Sequence, residues 1–83
     1  MKFTKKMVEV IERGINRKLT ADEIESGSVK ETIKKWSSLK VVSIRRGTDK
    51  KLHIEGQFAG DSYVYQRAIF DTPNAKFEQA IRA

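Results

Sequence analysis

The chain has no cysteine, one proline, one histidine, one tryptophan and five glycines in 83 residues. Each scarcity removes a class of chemistry. Without thiols there are no disulfides, no thiolate zinc sites and no cysteine nucleophile, and a cytoplasmic setting is expected. His53 has only one carboxylate, Glu55, among its neighbours Leu52, Ile54, Glu55 and Gln57. A histidine metal site or hydrolytic triad needs more, so His53 reads as an exposed histidine on the polar face of a strand. The glycines, at 14, 27, 47, 56 and 60, never cluster ahead of a helix, which leaves no phosphate-cradling loop. Asp49, Asp61 and Asp71 fall at expected turns or strand ends, where aspartate serves the backbone. Catalytic residues, metal ligands, cofactors and a small-molecule substrate are therefore not expected.

Long apolar runs are missing too. None approaches the roughly 20 residues of a membrane-crossing helix, and the opening MKFTKKMVEVIERG has no apolar core of a secretory signal. A membrane partner is not expected. A composition that is 39% hydrophobic and 34% charged is that of a folded protein, and residues 1–83 read as a single small domain.

What the chain does have is localised positive charge. Its net charge is +6, and residues 30–51 hold eight basic residues against two acids, which accounts for all of it. Elsewhere nine basic and nine acidic residues cancel. Such a concentration attracts nucleic acid or an acidic protein and speeds the encounter.

Helical and strand periods divide the chain. Met7, Val8, Ile11, Ile15 and Leu19 predict an amphipathic helix over 4–18 with Thr4 as its N-cap. On its other side Glu9, Arg13 and Arg17 form a solvated stripe of residues four apart. Gly14 lies near the apolar face, where it either lets another element approach closely or is a weak point costing about 1 kcal/mol against alanine. Thr20 with Glu23, and Ser28 with Glu31, each match a capping box. They predict a short helix over 21–26 and a longer one over 29–38, whose apolar stripe is Val29, Ile33, Trp36 and Leu39.

From Lys40 the period becomes two. VVSIRR (41–46), KLHIEGQF (51–58) and SYVYQRAIF (62–70) read as strands joined by turns at Gly47–Lys50 and Gly60–Asp61. Leu52, Ile54 and Phe58 form the core side of the second strand, where Gly56 marks a bulge or a close approach. Thr72–Pro73 opens a last helix that Phe77 and Ile81 fold back onto the sheet. The expected fold is α+β in the order α-α-α-β-β-β-α, with N-terminal helices packed on a three-stranded antiparallel β-meander.

A helix, a short helix, a basic helix and a basic hairpin, over roughly residues 4–58, resemble a winged helix-turn-helix in pattern. The resemblance implies that residues 29–38 read the major groove and Arg45 to Lys51 form the wing. Gly27 leaves a shorter turn than that motif has, and residues 29–38 contain no Arg, Asn or Gln to read bases in bidentate fashion. In outline residues 29–82 also resemble the double-stranded RNA-binding domain, but PNAKFEQAIRA carries one lysine where that family has a run.

The functional expectation is a small, basic, non-enzymatic accessory or regulatory protein that binds nucleic acid, DNA ahead of RNA. Lys30, Lys34, Lys35, Arg45, Arg46, Lys50 and Lys51 are expected to form one continuous face gripping the phosphate backbone. The alternative is an inhibitor or adaptor whose basic face docks an acidic protein, anchored by aromatic residues such as Tyr63 and Tyr65. If the seven side chains fall on different sides of the fold, the adaptor reading takes precedence.

Overall fold

The computed structural model describes residues 1–35, 38–58 and 65–82. In chain order these residues form α1 (Lys5–Ile15), α2 (Ala21–Ser26), β1 (Ser28–Lys35), β2 (Ser38–Arg46), β3 (Leu52–Phe58), β4 (Tyr65–Phe70) and α3 (Ala75–Arg82). The four strands make one antiparallel sheet in the order β1-β2-β3-β4. The class is α+β. No helix among the described residues is long and apolar enough to cross a membrane.

The first two helices start where their caps predict. Thr4 Oγ1 accepts the Met7 amide, and Asn16 closes α1 in the left-handed conformation at φ 59°. At α2, Thr20 Oγ1 accepts the Glu23 amide (3.2 Å) while Glu23 Oε1 accepts the Thr20 amide (2.9 Å), a complete capping box. Gly27 ends this helix at φ 65°, a left-handed position that favours glycine, and the backbone of Met1 lies directly over it. At the C-terminal helix the cap is Asn74, whose Oδ1 accepts the Phe77 amide, so Thr72 and Pro73 precede the helix instead of opening it.

The second capping box does not form, and the helix expected over 29–38 is a strand. Ser28 is the first residue of β1, and Glu31 sends its carboxylate to Arg17. The physical reason lies in a competing pattern in the same residues. Val29, Thr32 and Ile33 are β-branched and lose rotamer freedom in a helix. Their alternation also places Val29 and Ile33 on one side and Ser28, Lys30, Thr32 and Lys34 on the other. Pairing with β2 (Val29↔Ile44, Glu31↔Val42, Ile33↔Lys40) settles the matter, because it joins Val29 to the core. Among the described residues the order is therefore α-α-β-β-β-β-α, with four strands in place of three and strand where the reading helix was expected. Of the supposed helical stripe, Ile33 is half-buried against the core, Leu39 is 47% exposed on β2, and Trp36 lies outside the described residues. The proposed hairpin turn at Gly60–Asp61, with Tyr63, also lies outside them, as does the Phe58 side chain.

All the described helix-to-sheet packing occurs on one face of the sheet. Met7, Val10, Ile11 and Ile15 of α1 meet Val42, Ile44, Leu52 and Ile54 of the strands, and Phe77 and Ile81 of α3 are fully buried among them. Phe77 also sets its ring edge-on to Phe70, with centroids 5.4 Å apart. Gly14 permits this arrangement. A β-carbon there would stand 2.7 Å from Ile81 Cδ1, so the two helices can close only over a bare backbone. At Gly56 the space is filled by the buried Lys40 side chain, which crosses to donate to the Ala80 carbonyl of α3 at 3.2 Å.

Ile81→Ala should cost about 2–5 kcal/mol, and Gly14→Val should be of similar severity because the added atoms have no room. Ser28→Ala should change stability by less than about 0.5 kcal/mol, since no cap is lost. Urea denaturation of the three variants checks this set.

Candidate functional site

The opposite face of the sheet carries no described helix. Register sets its side chains in rows: Ser28–Arg45–His53–Ile69, then Lys30–Ser43–Glu55–Arg67, then Thr32–Val41–Gln57, then Lys34–Leu39. Neighbours within a row are about 4.8 Å apart and successive rows about 7 Å apart. Lys30, Lys34, Arg45 and Arg67 are exposed there, and Glu55 is the only acid in these rows. Glu55 sits 3.9 Å from Arg67, a contact on the solvated surface that contributes little. Leu39 and Ile69, 47% and 52% exposed, lie among these charges. Two shallow hollows mark the face: one of about 80 Å³ beside Ser43, Arg45 and His53, and one of about 210 Å³ beside Lys30, Val41 and Gln57.

The seven basic residues expected on one face are divided. Lys30, Lys34 and Arg45 do share the uncovered face. Arg46 is on the other side, where its Nη1 donates to the Lys2 carbonyl (2.8 Å) and its own carbonyl takes the N-terminal ammonium (3.2 Å). Consecutive residues of a strand point to opposite faces, which separates Arg45 from Arg46. Lys50 lies in the β2–β3 turn at φ 66°, and Lys51 at its end pairs with Asp71 at 3.4 Å. The Lys35 side chain lies outside the described part of the residue. Arg67 was not expected on this face. The alternation of QRAIF carries that signal once the phase of the strand is known.

His53 departs from expectation. It lies on the uncovered face but is only 8% exposed, with Nε2 3.0 and 3.2 Å from the two carboxylate oxygens of Asp49. Asp49 also accepts the Lys51 amide at 3.0 Å. Chiefly that backbone bond, with the His53 ring adding to it, holds the Asp49 carboxyl below its usual range. The pair closes the β2–β3 turn. No group of three or more potential metal ligands occurs among the described residues.

A polar brace fixes β1 against the helices. The Arg17 guanidinium binds both Glu23 carboxylate oxygens at 2.9 and 3.0 Å and reaches Glu31 of β1 through Nε. It does not continue a helical stripe with Glu9; Arg13 is likewise turned to Glu78 of α3, at 2.9 Å. The Arg17 bonds, with the Thr20 amide second, draw the Glu23 pKa from 4.5 down to about 2, and the two acids push that of Arg17 up. Planar two-point pairing of this kind is specific to arginine.

No protein-family model, curated protein or solved structure matches the chain.

Because the folded Glu23 carboxyl is more acidic than the unfolded one, its contribution is complete above about pH 4.5 and is lost as pH falls toward 2. Glu23→Gln should therefore flatten the acid limb of the stability curve between those values. At pH 7 it should cost about 1 kcal/mol, chiefly through the lost ionic pairing with Arg17, since glutamine can still serve the capping box. Thermal melts of both proteins from pH 2 to pH 7 test this.

Proposed function

We propose that the chain is a non-enzymatic binding module, an inhibitor or adaptor in type, that docks an acidic protein surface through the uncovered face of its sheet. The observation that carries this reading is the mixture on that face: four cations and one carboxylate surrounding exposed Leu39 and Ile69 and half-buried Val41. A protein surface can use both parts, burying the apolar side chains while acids meet the cationic rim. Phosphate backbone has no use for leucine and isoleucine. A cysteine-free chain suits a cytoplasmic setting.

Nucleic-acid binding, DNA ahead of RNA, is the second reading, and the cations of the same face favour it. It no longer rests on seven cations, since Arg46 is turned away. With about three phosphates neutralised by Lys30, Lys34 and Arg45, log K would fall with log salt at a slope near −2.7, roughly 40-fold between 50 and 200 mM.

Fluorescence titration at 100 mM salt with polyglutamate, random-sequence duplex DNA and single-stranded RNA separates the two. The acidic-protein reading expects polyglutamate to bind with preference over both nucleic acids, and the paired change Lys30→Glu with Arg45→Glu to weaken it at least tenfold. Tight duplex binding with the salt slope given above, and none to polyglutamate, would reverse the order.

A further inference from the structure

The uncovered face ends at β1, whose outer side is paired with no strand among the described residues. Hydrogen-bond parity shows which of its backbone groups are available. The Arg46 amide donates to the Gly27 carbonyl at 2.9 Å, one step before the Ser28↔Arg45 position of the ladder. In an antiparallel pair, alternate residues turn both backbone groups toward the same neighbour. Val29, Glu31 and Ile33 therefore bond to β2, while Lys30, Thr32 and Lys34 turn their N–H and C=O groups outward. Thr32 confirms the parity, because its amide donates to the side chain of Glu31 at 3.1 Å instead of to a strand. The same carboxylate is held by Arg17. Glu31 thus occupies the central donor of the edge without closing it, and an incoming carbonyl can replace one of its oxygens while the other stays on Arg17.

We infer that β1 is a strand-addition edge that accepts an extended acidic segment of the partner, which would lie alongside Lys30, Thr32 and Lys34. Charge selects the occupant. The outward-bonding residues are also those whose side chains lie on the uncovered face, so Lys30 and Lys34 flank Thr32 there. Acidic residues at alternate positions of the added strand would face these lysines, and cross-strand pairs of opposite charge stabilise a sheet. A second copy of β1 is disfavoured by the same residues. Paired in antiparallel fashion about Thr32 it sets Lys30 against Lys34 twice, and about Glu31 it leaves the Lys30 residues diagonal to one another. This inference rests on the acidic-protein reading and specifies how the partner is held.

The test uses a blocked seven-residue peptide alternating glutamate with valine, a matching lysine–valine peptide, and the variant Thr32→Pro. Proline at 32 removes an N–H that bonds no strand of the fold, so the sheet keeps its ladder while the edge loses its central donor. The glutamate peptide should bind the native chain, slow amide exchange at Lys30, Thr32 and Lys34, and bind Thr32→Pro at least tenfold more weakly. The lysine peptide should not bind. Equal binding to Thr32→Pro, or exchange protection absent from those three amides, overturns the edge while leaving the face reading in place if polyglutamate still binds. Failure of both the peptide and polyglutamate removes both. If Thr32→Pro melts well below the native chain, the exchange pattern of the native chain decides alone.

Discussion

The contact between Gly14 and Ile81 governs much of the architecture. It lets α1 and α3, which lie at opposite ends of the described chain, close together over the same side of the sheet. Both helices then bury their apolar stripes against Val42, Ile44, Leu52 and Ile54, and the core is built on that side. Burial of this kind is the main favourable term available to so small a domain. Its consequence is asymmetry. With the described helices on one side, the other side of the sheet is left to solvent or to a partner.

Polar contacts fasten what the core leaves loose. Arg17 joins the loop after α1 to the cap of α2 and to β1. Lys40 is almost wholly buried, yet its ammonium reaches a helix carbonyl across the space left by Gly56. A buried ammonium is tolerated only when hydrogen-bonded. The N-terminus is fixed too, by bonds to Arg46, and this takes that arginine out of the surface charge. The Asp49–His53 pair tightens the β2–β3 turn. Of these residues Arg46 was expected on a binding surface, whereas Arg17 was expected to be solvated and His53 exposed, and all three serve the fold instead.

The uncovered face carries charge almost wholly of one sign. Lys30, Lys34, Arg45 and Arg67 project from β1, β2 and β4, and among the described residues of these rows only Glu55 opposes them. Lysines along the edge strand also discourage sheet-to-sheet self-association. The features that keep the molecule apart from its own copies are those that suit an acidic partner.

The caps of α1 and α2, the turn at Gly47–Lys50, the alternation of Leu52 and Ile54 and the burial of Phe77 and Ile81 could be read from the sequence, and Gly14 offered a close approach as one of two readings. Each depends on neighbours a few residues away, or on the absence of a side chain. Residues 28–35 could not be settled in the same way. Ser28 with Glu31 satisfies a local helix-start rule, while Val29, Thr32 and Ile33 satisfy a strand pattern, and the two signals are comparable. Pairing with β2 decided between them, and that pairing brings together residues up to 17 positions apart. The candidate site inherited the uncertainty. Total charge and its location in residues 30–51 are properties of the sequence, but which cations share a face depends on strand phase. Arg45 and Arg46 are adjacent in the chain and belong to opposite sides of the sheet, while Arg67 is brought onto the face of Lys30 by two intervening strands.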